Sequence, residues 1–174
     1  QLADMPLGAT DQDLLGVYMQ LGGAELRLGN MMDALEAFTQ ARQILARMQG
    51  EIPAGLAIDS SFQLGLAFFR IWETRNCVTV DRPDPCILPL RDDTSYTDQE
   101  ASRQAIFHFA EVLRNTPAGS ARYLEAQWLL NISYMTLGGY PDWLEEQYLI
   151  PTSAFLSQQQ IPRFSNIALA LGLD

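Results

Sequence analysis

The chain has no lysine: all 11 of its bases are arginine, and they face 21 acids, for a formal charge of −10. A surface this acidic repels phosphate backbones and anionic headgroups over a Debye length of about 8–10 Å. No local run of arginine offsets it, so nucleic acid and membrane surfaces are poor partners. Long apolar runs are missing too. The stretch from Ile167 to Leu171 is far shorter than the ~20 residues that span a bilayer, so no membrane insertion is expected.

Histidine is nearly absent. His108, between Phe107 and Phe109, is alone and cannot build a histidine-rich metal site or a triad of the usual kind. It reads as a structural residue on a helix. There is no Gly-rich phosphate loop, nucleophile elbow or zinc-ligand pattern. The paired acids Asp33 and Glu36, or Glu145 and Glu146, fall on solvent-facing helical positions with no apolar pocket to raise a pKa, and read as ordinary surface acids. The expectation is a protein without catalysis, metal or cofactor.

What the chain does have is helical periodicity. Its 174 residues and 48% hydrophobic content suit one domain with a sizeable core. Residues 11–28 carry Leu14, Leu15, Tyr18, Leu21, Leu26 and Leu28 and stop at Gly29-Asn30. Residues 31–48 place Met31, Ala34, Leu35, Phe38, Ala41 and Leu45 at threes and fours, which completes a helical hairpin. A third helix is expected over 56–75, a long loop over 76–97, and a fourth helix over 97–115 with Thr97 and Glu100 as a capping box. A fifth over 121–137 ends at Gly138-Gly139, a short sixth follows Pro141, a turn of helix falls near 153–159, and 163–167 is extended. The fold class is all-α, with a helical-repeat domain over 1–149 and an irregular tail over 150–174.

The hairpins repeat. Leu21-Gly22 precede Gly29, and Ala34, Phe38 and Ala41 follow on the second helix. Leu64-Gly65 open a second copy, continued by Phe68 and completed beyond the long loop by Ala105, Phe109 and Pro117. Leu130-Asn131 open a third, with Tyr134, Gly138 and Tyr140, which Pro141 cuts short. This pattern resembles the tetratricopeptide repeat, and implies a short α-solenoid of about three hairpins. Ala46 in place of a closing proline and Trp72 in place of a turn glycine are departures from it.

A narrower resemblance rests on NCVTVDRPDPCILPL, YLEAQWLLNISYMTLGGYPDWLEEQYLIP and IPRFSNIALALGLD. These strings look like the helical N-terminal region of secreted bacterial proteins carrying FG-GAP (VCBS) repeats and an ASPIC/UnbV domain. The resemblance implies secretion and pairing of Cys77 with Cys86. The residues allow the same reading, since two cysteines in one loop fit a disulfide and an oxidising compartment, with two free thiols as the alternative. Gln1 at the start fits a signal peptide already removed, as would a cloning boundary. The expected location is therefore secreted or at the cell surface.

In tetratricopeptide proteins the first helix of each hairpin lines a concave face. The matching positions are Met19, Gly23, Leu26 and Arg27; Asp59, Phe62, Leu66, Phe69 and Arg70; and Glu125, Trp128, Ile132, Met135 and Thr136. Most are apolar or aromatic, and exposed together they would exceed the patch a monomer tolerates. Either the chain's own tail covers them, through Phe155, Phe164, Ile167 and Leu171, or another chain does. The expected partner is protein. A homo-oligomer or polymer built through groove and tail is one form, and a monomeric adaptor for a foreign peptide is the other. Asp81, Asp84, Asp92, Asp93 and Asp98 raise a lesser calcium reading, but their spacing is not that of an EF-hand and Pro83 and Pro85 interrupt them. Asn131-Ile132-Ser133 is a glycosylation triplet set inside a packed helix, where a glycan has no access.

Overall fold

A computed structural model describes residues 10–48, 52, 54–78, 88, 90, 99–156, 159, 167–168 and 171–172. Five α-helices account for most of them: α1 (Asp11–Leu28), α2 (Met31–Arg47), α3 (Ala54–Glu73), α4 (Glu100–Asn115) and α5 (Ala121–Met135). Among the described residues there is no strand. Each helix packs on the next, α1 with α2 and α3 with α4 as antiparallel pairs, so the arrangement is all-α and solenoid-like.

Local chemistry sets the ends. Thr10 opens α1 with a reciprocal capping box: the Asp13 amide donates to Thr10 Oγ1 at 3.2 Å and the Thr10 amide to Asp13 Oδ2 at 2.9 Å. Gly29 closes the helix at φ +86°, a left-handed conformation open to glycine, and this turns the chain straight into α2. Ser120 caps α5, with the Tyr123 amide donating to its hydroxyl. The start of α4 differs from the expected capping box. Thr97 lies outside the described residues, and the cap position is Gln99, in a helical conformation with no side-chain capping bond.

The two glycines of the repeat explain the hairpin packing. A Cβ on Gly22 would stand 2.5 Å from the Phe38 ring, and one on Gly65 would stand 2.8 Å from the Phe109 ring. In each hairpin the second helix thus presses a phenylalanine onto bare backbone of the first. Phe38 and Phe109 are fully buried, and Phe109 also meets Phe62 with ring centroids 5.9 Å apart.

The third copy departs from this at the same place. Asn131 stands where Gly22 and Gly65 stand, and among the described residues no second α-helix of the hairpin follows α5. After α5 the chain turns through Gly138, at φ +68°, and Pro141 into two short 3-10 turns, Glu146–Tyr148 and Thr152–Phe155. The first stands where a short sixth helix was expected after Pro141, and the second is the turn of helix expected near 153–159, begun one residue earlier. The buried Asn131 amide donates to Tyr148 O and Gln127 O, both at 2.8 Å, and its Oδ1 accepts from the Ile150 amide at 2.9 Å. The end of the first 3-10 turn and the residues that leave it are thus fastened to α5. Asn131, the acceptor position of the glycosylation triplet, is fully buried in the folded chain.

The third helix runs to Glu73 and then loosens into a π-helical turn, Thr74–Val78. Of the long loop, Leu88 and Leu90 are described, and both return to a cluster formed by Ile71, Trp72, Ala101, Ile132 and Met135. The expected extended stretch at 163–167 falls outside the described residues except for Ile167. No described helix is long and apolar enough to cross a membrane.

Candidate functional site

Two places gather chemistry. The first is a polar knot where α2, α3 and α4 meet. Arg42 donates from Nη1 to Ser61 Oγ at 2.7 Å and from Nη2 to Glu111 Oε1 at 2.5 Å. Ser61 Oγ lies 2.9 Å from Glu111 Oε2 and 3.0 Å from the Ala57 carbonyl, its single proton serving one or the other. A cavity of about 230 Å³ opens beside it, lined by Ala57, Ile58, Ser61, Glu111 and Asn115. His108 stacks on Phe68 with centroids 5.8 Å apart, and its buried Nδ1 has no hydrogen-bond partner, standing 3.9 Å from Glu111 Oε2.

This knot ties α2, α3 and α4 together. Burial works against the Glu111 carboxylate, but hydrogen bonds from Arg42 and Ser61 outweigh it and hold the group below its usual range, which makes it a weak base. Burial also holds His108 below the usual imidazole range, against the pull of Glu111. The imidazole is therefore neutral at pH 7.

A pH dependence follows from these two directions. The unfolded chain takes up the histidine proton first, near 6.5, so stability present above that pH is lost as pH falls through it toward the lower folded value. Glu111 adds a second loss below 4.5, because its folded pKa lies under its unfolded one. Thermal melts from pH 7.5 to 4 should show a decline beginning near 6.5. His108→Gln should flatten the part just below pH 6.5 and leave the steeper acid limb.

The second place is the carboxyl-terminal end of the solenoid. Trp128 on α5 stacks on Phe155 of the tail with ring centroids 4.8 Å apart, and Tyr140 meets the same ring edge-on at 5.8 Å. The Tyr140 hydroxyl donates to Ile150 O at 2.6 Å, and Gln127 Nε2 to Tyr148 O at 3.2 Å. Trp128 is still 40% exposed, and Leu124, one turn earlier, is 52% exposed. Trp143, Leu156, Ile167 and Leu171 are exposed as well.

The structure redistributes the expected groove residues. Phe62, Ile132 and Met135 are buried in the interior, while Met19, Leu26, Leu66 and Phe69 are half-buried against the core clusters. Arg27 and Arg70 are exposed, with Arg70 paired to Glu73. Thr136 is buried and donates to Ser102 or to the Ser133 carbonyl. Of the apolar positions, Trp128 alone stays substantially open. Of the expected tail contacts, Phe155 is seated, Ile167 and Leu171 are exposed, and Phe164 lies outside the described residues.

Sequence reasoning missed Arg122. Its guanidinium lies 4.0 Å from the Phe62 ring centroid and reaches Asp59 at 3.1 Å and Glu125 at 2.7 Å, so it roofs Phe62 and joins α5 to α3. Helical spacing gives only the i, i+3 step to Glu125.

No family model, curated protein or solved structure matches this chain. The helical-repeat architecture therefore stands on its own geometry, and the two family resemblances gain no support beyond it. Cys77 is half-buried against the cluster around Trp72, and Cys86 is outside the described residues, as are Asp81, Asp84, Asp92, Asp93 and Asp98. Among the described residues no group of three or more histidine, cysteine or acidic side chains is placed to hold a metal ion.

Proposed function

We propose that this chain is a non-catalytic protein-interaction module of tetratricopeptide type, working outside the cell and associating through the carboxyl-terminal end of its solenoid. The observation that supports the reading most is the incomplete cover of α5. Where a sixth helix would bury the outer face, a thin strap contributes Phe155, and Leu124 and Trp128 stay open beside it. A solenoid end that exposes large apolar side chains is a docking surface, because terminal repeats that face only water carry polar ones.

A second copy of the chain is the first partner, since an end that receives a tail and a tail that carries Ile167 and Leu171 exposed can join copy to copy. A foreign peptide in the same seat is the second reading, supported by the stacking of Phe155 on Trp128, which shows the kind of aromatic side chain the seat accepts. Extracellular location rests on a Cys77–Cys86 disulfide across the loop. A thiol assay under denaturing conditions should find no reactive thiol without reductant and two with it.

Light scattering after size exclusion, with negative-stain microscopy, tests association. The wild-type chain should form oligomers or long regular particles that dissociate on Leu124→Asp and on removal of residues 161–174. A monomer indifferent to both changes would remove self-assembly and leave the peptide reading.

A further inference from the structure

At the opposite end of the solenoid, α1 and α2 enclose a groove of about 350 Å³ lined by Tyr18, Leu21, Glu25, Asp33, Glu36, Ala37 and Gln40. All seven come from these two helices. On α2 the groove positions 33, 36, 37 and 40 form one stripe, and Arg42, which bonds Ser61 of α3, lies on the opposite side. The groove is thus the outer face of the first hairpin, the face on which a preceding helix would stack in a longer array.

Its floor is apolar and its rim is anionic. Tyr18 and Leu21 are half-buried and Ala37 is buried, while Glu25, Asp33 and Glu36 supply three negative charges and, among the described residues, no base lines the cavity. The two arginines of α2 are committed elsewhere, Arg42 to Glu111 and Arg47 to Asp11 at 2.7 Å. Among the described residues the ion pairs found reach none of the three rim acids. Asp33 and Glu36 fall in the first two turns of α2, where the helix dipole favours anions. Glu25 has no such reason: it stands in the last turn of α1, where a carboxylate is disfavoured, and its one partner is the neutral Asn30 amide at 2.7 Å.

We infer that this groove docks a cationic amphipathic helix of a partner protein. The stretch from Tyr18 to Glu25 rises about 10 Å, two helical turns. That length takes apolar side chains at i and i+4 on Tyr18, Leu21 and Ala37, with arginine or lysine at the flanks facing the rim acids. This surface is separate from the carboxyl-terminal seat, and its test does not depend on that seat.

The probe is a fluorescein-labelled 14-residue helical peptide with one leucine face flanked by arginine, beside a scrambled peptide of the same composition and a version with glutamate for arginine. Anisotropy with the full chain should show binding of the arranged cationic peptide, weakened by 0.5 M salt, and little binding of the other two. The isosteric triple variant E25Q/D33N/E36Q should weaken it about ten-fold or more. D142N/E145Q/E146Q, which removes the same charge from the other end, should change it less than about two-fold.

Equal loss in the two triple variants would reduce the effect to net charge and overturn the inference, as would equal binding of arranged and scrambled peptides. A change in the protein's own mass in E25Q/D33N/E36Q, seen by light scattering without peptide, would make a second copy the occupant and likewise overturn it. So would peptide binding that arises only when residues 1–9 are removed, which would give the groove to the chain's own start.

Discussion

Truncating Phe109 to alanine should cost about 3–5 kcal/mol of folding free energy, the range for removing a fully buried phenyl ring. Phe109 contributes twice. It packs on Phe62 across the interior, and its ring lies on the bare backbone at Gly65. The reverse change at that contact separates the two roles. Gly65→Ala adds a methyl group 2.8 Å from the ring, and close-packed interiors answer such an insertion with a loss of about 1–3 kcal/mol. Combining Gly65→Ala with Phe109→Leu should recover part of that loss, because the shorter side chain vacates the space the methyl needs. Urea unfolding of the two single variants and the double variant gives the coupling, and a double variant that merely adds the single losses would show that the glycine is not there for the ring. Gly22 and Phe38 form the same contact, with a still shorter 2.5 Å approach, and should behave alike.

That contact was legible in the sequence because it is a matter of offsets. A glycine on one helix and a phenylalanine on the next recur in both hairpins, and the insertion of a long loop between α3 and α4 changes the separation without changing the register on either helix. The helix starts at 11 and 121 and the stop at Gly29 were legible from periodicity and the glycine, while the caps Thr10 and Ser120 come from the structure. The polar knot was not. Arg42 meets Ser61 and Glu111 across 19 and 69 residues of chain, and no local pattern brings three such residues together.

The groove positions were read from first-helix register alone, and the structure divides them between interior and surface. Phe62, Ile132 and Met135 fall on first-helix faces that a long solenoid would turn outward. In a stack of five helices the same faces are needed for the interior: Arg122 covers Phe62, and Leu90 from the loop joins the cluster holding Ile132 and Met135. Among the apolar groove positions described, only Trp128 on α5 keeps a substantially open side, where Phe155 of the strap covers one face of its ring. The acids Asp33 and Glu36 are exposed, as expected of surface carboxylates. Taken singly they are surface carboxylates, and their role as a rim emerges only when α1 folds back to supply Tyr18, Leu21 and Glu25.

The strap itself is the sharpest test of how the last repeat is completed. Replacing Asn131 by leucine should release residues 145–156 from α5 and cost about 2–4 kcal/mol, since the Ile150 amide loses its partner and the Tyr148 carbonyl keeps only the longer bond from Gln127. Leucine is close in volume, so a loss of that size would come from the polar groups left behind. Hydrogen exchange should quicken at Ile150 and its neighbours while α1 to α4 stay protected, and Trp128 fluorescence should move to the red as Phe155 leaves its face. Asn131→Gly restores the residue type of the other two copies and should release the strap just as well, which separates loss of the latch from any crowding by leucine. If strap and partner compete for α5, both variants should also associate more strongly than wild type, because Trp128 and Leu124 are then open together. Release of the strap with no gain in association would mean that the strap completes the seat, with Phe155 acting as one of its walls.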